Sequence, residues 1–192
     1  MLTQITSLLL GAAASIITWT FLARVWMQQS RASFHNPVGH FIMAFTDWAA
    51  RPLRRYIPGL FGVDLASLLV AWLAQLVYAL AMAALLYAPA TPPLPPLLAI
   101  AVFAVLRMFV YLLTFIVIVA AVLSWVNPLS PHAALFDALA RPLLRPLRRW
   151  LPTPGGIDLS PLFVLLALNV ALIIIDGFAR SLGGGVLRML SS

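Results

Sequence analysis

The 192 residues are 63% hydrophobic and only 9% charged, against about 45–50% apolar and about 25% charged in ordinary soluble domains, so a soluble fold is excluded. The formal net charge of +7 rests on arginine alone, because the chain has no lysine and all five of its acids are aspartate. Cysteine is absent, which removes disulfides, thiolate catalysis, zinc ribbons and iron–sulfur clusters.

Four apolar stretches follow one another, at residues 5–26, 65–87, 97–126 and 159–178. Each is long enough to cross about 30 Å of hydrocarbon at about 1.5 Å per residue. The first lacks a basic n-region and outruns a signal-peptide h-region, so it reads as a spanning helix. The third is longer than a crossing needs, and must tilt or begin outside the hydrocarbon. Between the second and third, residues 88–96 are uncharged and dense in proline, which predicts a short extended hairpin because proline breaks helices. The predicted fold class is an all-α membrane protein: four transmembrane helices in two parallel helix-loop-helix repeats with interfacial amphipathic segments. The repeats are divided as residues 1–92 and 93–192.

Charge sets the expected orientation. The loop after the first span carries Arg31, Arg51, Arg54 and Arg55, the loop after the third carries Arg141, Arg145, Arg148 and Arg149, and the proline segment carries none. The positive-inside rule then places both arginine loops in the cytoplasm, and both termini and the proline segment outside. Arg180 and Arg188 in the tail oppose this, but are outnumbered. Gly183-Gly184-Gly185 reads as a breaker in that tail.

The halves repeat in sequence. Pro52-Leu53-Arg54-Arg55 recurs as Pro146-Leu147-Arg148-Arg149, and Gly62-Val63-Asp64-Leu65 as Gly156-Ile157-Asp158-Leu159. Upstream, Asn36-Pro37 matches Asn127-Pro128, and Ala50-Arg51-Pro52-Leu53 matches Ala140-Arg141-Pro142-Leu143 at a smaller offset. That difference implies a short insertion around Leu144-Arg145-Pro146 in the second copy. Because both halves run in the same sense, an axis along the membrane normal relates them.

Four of the five aspartates fall at repeated positions, Asp47 with Asp137 and Asp64 with Asp158. Asp64 and Asp158 directly precede apolar stretches, where a carboxylate caps free backbone N–H groups and complements the helix dipole; the sharper reading is a cation or partner site at the membrane surface. Asp47 and Asp137 each stand four residues before an arginine, the spacing of an ion pair on one helix face. Val38, Phe41, Ile42, Phe45 and Trp48 form an apolar stripe at helical spacing, which predicts an amphipathic helix in the interface. The arginines beyond it either anchor the chain to anionic lipid or dock a protein partner.

Within the spans, Gln75 and Asn169 each lie eleven residues after their aspartate, about 16 Å into the helix and so near the midplane. They either hydrogen-bond the second span to the fourth across the pseudo-twofold or line a conduction path. Arg107 and Asp176 reach a similar level near the outer interface and are expected to pair. Arg24, near the inner end of the first span, is expected to extend to the headgroups. The three histidines lack partnered spacing, and no Ser/His/Asp grouping, HExxH or phosphate-cradling loop stands at a suitable place. No cofactor, metal or enzymatic activity is expected.

Leu22-Ala23-Arg24-Val25-Trp26, Asn36-Pro37, Pro52-Leu53-Arg54-Arg55, Ile57-Pro58, Ser124-Trp125, Arg148-Arg149 and Gly156 through Pro161 together resemble the repeated motif of the YggT family of small bacterial inner-membrane proteins, which has plastid relatives. The chain departs from that motif at Ala66-Ser67, where Ser-Pro is favoured, and in having Ala120 opposite Arg24. The resemblance implies links to osmotic-stress tolerance, ion homeostasis, cell division and, in plastids, cytochrome assembly and nucleoid organisation, with no enzymatic activity. Two functions fit: a membrane adaptor or assembly factor whose arginine loops dock a partner or anionic lipid without contacting nucleic acid, and an oligomeric ion-transport component using Gln75, Asn169 and the repeated aspartates.

Overall fold

A computed structural model of the chain describes residues 1–60, 62–87, 94–149 and 158–191. These form six helices: α1 (Leu2–Gln29), α2 (Pro37–Leu53), α3 (Leu65–Tyr87), α4 (Leu94–Val126), α5 (Pro131–Arg148) and α6 (Ser160–Ser191). Four of them, α1, α3, α4 and α6, are long and apolar enough to cross a membrane. No strand occurs among the described residues. With bulky side chains such as Leu8, Val77, Leu166 and Ile173 facing outward, a surface of this kind is stable only against lipid tails, and the chain is a multi-pass membrane protein.

The long helices pack as antiparallel neighbours, α1 on α3, α3 on α4 and α4 on α6. The main core draws on both halves, joining Phe21, Leu22 and Met27 of α1 to Val110, Leu113 and Val117 of α4 and to Leu135, Leu139 and Leu144 of α5. A smaller cluster of Leu76, Ala83, Leu97 and Ala101 seals α3 against α4.

Local chemistry explains where the short helices start and stop. α1 closes in a Schellman turn: Arg31 takes φ +54°, its N–H bonds the Gln28 carbonyl at 3.1 Å, and the Ala32 N–H bonds Met27 at 2.9 Å. Asn36, in an extended conformation, then caps α2 by accepting from the Gly39 N–H at 2.8 Å, with Pro37 in the first turn. A side chain on Gly39 would meet the Phe34 carbonyl carbon and oxygen at under 3 Å, so only glycine admits this entry. Ser130 makes the corresponding cap on α5, accepting from the Ala133 N–H at 3.0 Å ahead of Pro131.

Several sequence expectations need correcting. The cap that corresponds to Asn36 is Ser130 rather than Asn127, and Asn36 to Ser130 is 94 positions, as is Asp64 to Asp158. The register between α2 and α5 is therefore constant from cap to cap, and no insertion at Leu144 to Pro146 is required. The apolar stripe of α2 divides: Ile42 turns inward with Gly39, Thr46, Ala49 and Ala50, whereas Phe41 and Trp48 face outward. The small residues let α2 pack closely on the bundle, and the aromatics remain for lipid. Pro95 and Pro96 do not extend the hairpin but lie in the first turn of α4, where a missing N–H costs no intrahelical bond. Gly183 to Gly185 do not stop α6, which continues to Ser191. The rest of the proline segment (88–93) and the second copy's loop at 150–157, with Pro152, Gly156 and Ile157, lie outside the described residues.

Candidate functional site

The Arg24 side chain does not reach for headgroups. It is only 6% exposed and turns into the angle between α1, α2 and the start of α3. There its Nη1 donates to Thr46 Oγ1 at 2.6 Å and to Asp47 Oδ1 at 2.7 Å, while its Nε lies 3.4 Å from Asp64 Oδ2. That Nε makes no hydrogen bond, so its attraction to Asp64 is coulombic. Thr46, buried and donating to the Ile42 carbonyl at 2.6 Å, fixes the acceptor that Arg24 meets.

Asp64 serves two purposes at once. As the residue before α3, its carboxylate accepts from the Ser67 N–H at 3.3 Å and the Ser67 hydroxyl at 2.6 Å, satisfying the free end of the helix. It also takes a forked pair from Arg54, Nη2 to Oδ2 at 2.5 Å and Nε to Oδ1 at 3.3 Å. Burial by itself raises the Asp64 carboxyl, but hydrogen bonds from Arg54 and Ser67 and the Arg54 charge outweigh it and hold the group below its ordinary value. The same hydrogen bond raises Arg54 above its usual range against an opposing effect of burial. Arg51 completes the cluster on Asp47 at 2.6 Å from its exposed position one turn along α2.

The turn preceding Asp64 is set by glycine. Leu60 and Val63 exchange backbone hydrogen bonds at 3.2 and 2.9 Å, with Gly62 at φ +81°, a conformation that favours glycine over other residues. This is the physical content of the first Gly-x-Asp-Leu motif: a tight turn that delivers the aspartate to the helix start.

The second repeat carries a reduced version. Arg148 Nε pairs with Asp158 Oδ2 at 2.7 Å and its Nη1 lies 3.9 Å from Asp137 Oδ1. Arg141 holds Asp137 at 2.9 Å. Asp158 accepts from the Ser160 N–H at 2.9 Å; burial raises its carboxyl, and hydrogen bonds from Ser160 and Arg148 reverse that and lower it. No arginine arrives from α4, and the Asp158 side chain is 32% exposed where that of Asp64 is 3%. The cap-to-cap register places Arg141, not Asp137, opposite Asp47, so these two aspartates are not equivalent positions. Asp137 lies one turn earlier and meets the same helix ends.

The intramembrane polar residues are also placed. Gln75 Nε2 donates to Thr18 Oγ1 at 2.9 Å, and Thr18 in turn donates to the Ala71 carbonyl at 3.4 Å. Gln75 therefore ties α3 to α1 within the first repeat. Asn169 donates to the Leu165 carbonyl of its own helix at 2.9 Å and is exposed. The expected amide bond across the pseudo-twofold is not made, because α3 and α6 are both partnered by other helices. Arg107 Nη1 and Asp176 Oδ1 approach to 3.8 Å between α4 and α6. Arg55, Arg145 and Arg149 are exposed and form no ion pair among the described residues. No grouping of His and Asp side chains able to hold a metal occurs among the described residues.

Sequence reasoning missed Arg24 as the centre of the cluster. Its signal was present in the scarcity of acids: a buried arginine needs carboxylates, and the first repeat has only Asp47 and Asp64 to offer.

Comparison with known proteins agrees with this two-repeat geometry. The CCB3/YggT family matches the chain in two segments, residues 3–86 and 99–179. An uncharacterized protein of Pseudomonas aeruginosa is 38% identical over 91% of this chain and 90% of its own length. The uncharacterized protein YggT of Escherichia coli K12 is 38% identical over 84% of each chain, and an uncharacterized protein of Haemophilus influenzae is 32% identical over 85% and 89%. No solved structure matches. With both repeats matched and whole-length bacterial relatives of the same kind, the chain belongs to the CCB3/YggT family.

Proposed function

We propose that this protein is a non-enzymatic adaptor or assembly factor of a bacterial inner membrane, with the arginine-bearing ends of α2 and α5 in the cytoplasm docking an acidic partner protein. The observation that carries this reading is the division of the arginines into two sets. Arg24, Arg51, Arg54, Arg141 and Arg148 are engaged by the chain's own aspartates. Arg55, Arg145 and Arg149 are exposed at the helix ends, and Tyr56, which follows Arg55, is 84% exposed. Arginine with an aromatic neighbour is the chemistry that recognises acidic surfaces. Such docking supports envelope, division or membrane-complex maintenance.

The test changes Arg55, Arg145 and Arg149 to alanine together, leaving the ion-paired arginines intact, and compares what co-purifies from native membranes. A stoichiometric partner captured by the parent and lost by the variant, with the melting temperature unchanged, supports docking. If parent and variant both come out without a partner, the docking reading falls and these arginines act as anchors to anionic lipid. The ion-transport alternative draws little support from the midplane amides, since Gln75 is consumed by Thr18 and Asn169 by its own helix.

A further inference from the structure

The missing arginine of the second repeat leaves a space. A cavity of about 520 Å³ opens between α4, α5 and the start of α6, with Ala120 and Ser124 on one wall and Asp137, Arg148 and Asp158 on the others. In the first repeat Gln28 shares a surface with Arg54 and Asp64, just as Ser124 shares one with Arg148 and Asp158. Gln28 to Ser124 and Arg24 to Ala120 are both 96 positions. The guanidinium that bridges two carboxylates in the first repeat is therefore replaced by a methyl group in the second, and no described residue fills the cavity beside it.

The charges record the same loss. Three arginines, Arg24, Arg51 and Arg54, surround Asp47 and Asp64, whereas two, Arg141 and Arg148, serve Asp137 and Asp158. Facing the cavity itself are two carboxylates and one guanidinium. One added cation would restore the balance of the first repeat. The remaining lining is apolar, including Trp125, Leu159, Leu162 and Leu165, and of these Trp125 and Leu162 are 77% and 64% exposed on the flank that faces lipid. A fitting ligand thus has a cationic head and an apolar tail, and the volume lies within the about 300–1,000 Å³ range of small-molecule sites.

We propose that this cavity binds a phospholipid through its primary ammonium headgroup, which occupies the place that the Arg24 guanidinium holds in the first repeat. A primary ammonium has three N–H donors, so it can satisfy Asp137 and Asp158 together, while Arg148 meets the lipid phosphate. A choline headgroup has no N–H to donate, and a glycerol headgroup has no positive charge. The proposal stands apart from the docking reading, which concerns Arg55, Arg145 and Arg149.

The test uses the full chain in nanodiscs of phosphatidylcholine, doped in turn with phosphatidylethanolamine or phosphatidylglycerol, and reads retained lipid by native mass spectrometry. One phosphatidylethanolamine per chain is expected, with phosphatidylglycerol and phosphatidylcholine retained at least about tenfold less, the loss of a charge-assisted hydrogen bond. Ala120→Arg, which supplies the guanidinium internally, is expected to abolish retention, and Asp137→Asn to weaken it by about tenfold. If Ala120→Arg lowers the melting temperature through misfolding, Asp137→Asn, at a half-exposed position of α5, decides alone. Equal retention of all three lipids, or unchanged retention in Asp137→Asn, overturns the proposal. A dimer seen with the parent and lost with Ala120→Arg overturns it too, assigning the cavity to an arginine of a second copy.

Discussion

Arg24 and Arg51 both pair with Asp47, yet their contributions differ because their surroundings do. The Arg24 side chain is 6% exposed and donates to Thr46 and Asp47, so removing it takes a buried donor from both, while Asp64 keeps Arg54 and Ser67. Arg24→Ala is expected to cost about 1–3 kcal/mol, the range for buried hydrogen-bonding groups left without a partner. Arg51, 75% exposed and one turn from its partner, is expected to cost less than about 0.5 kcal/mol when changed to alanine. Thermal unfolding in a single detergent distinguishes the two, and equal losses would mean that the cluster is not closed to water. Acid sensitivity follows from the aspartates. Asp64 and Asp158 are both held below their ordinary values in the folded chain, so they stabilise it fully above the unfolded carboxylate value of about 3.9, and that stability is lost as the pH falls through the depressed folded values. Asp64→Asn, which keeps a capping oxygen, is expected to be less stable at neutral pH and to lose less on acidification; melting temperatures at pH 7 and pH 3 read both.

Among the elements, the two midplane amides are expected to behave unlike each other despite their matching positions. Gln75 joins α3 to α1 through Thr18, and its change to leucine leaves the buried Thr18 hydroxyl without that donor, at about 0.6–2 kcal/mol. Asn169 bonds only its own helix on an exposed face, so Asn169→Leu is expected to be neutral or stabilising in the same unfolding measurement. A comparable loss in both variants would place Asn169 against another surface. This pair also shows what was legible in the sequence. Spans could be read because hydrocarbon demands about 20 apolar residues in a row, and α2 could be read from its spacing. Partners could not, since the contact of Gln75 with Thr18 joins residues 57 positions apart and nothing local marks it. The start of α4 at Leu94 was hidden for a different reason: prolines that break a helix interior are harmless in its first turn. The register of α5 was hidden because Ala-Arg-Pro-Leu and Leu-Arg-Pro-Leu follow each other there, one turn apart, and the Ser130 cap chooses between them.

At the scale of the whole molecule, the repeats are sequence units rather than folding units. Trp26 of α1 donates from Nε1 to the Leu139 carbonyl of α5 at 3.0 Å, and Trp19 and Trp26 pack edge-on against Phe115 and Phe109 of α4. With the principal core shared in this way, unfolding is expected to show one cooperative transition; two resolved transitions by calorimetry would mean that each repeat holds its own core. The buried position of Arg24 also sets an order on synthesis. When α1 leaves the ribosome its arginine has no partner, and a charged residue in a lone spanning helix is costly, by about 2.5–3.5 kcal/mol at the centre and less toward the end where Arg24 lies. Asp47, its hydrogen-bonded partner, follows 23 residues later and Asp64 40 residues later, delays of about 1–5 s and about 2–8 s at about 5–20 residues per second. Until Asp47 arrives the nascent first helix is expected to keep that charge at the membrane face, and the two aspartates in turn allow it to settle into the bundle.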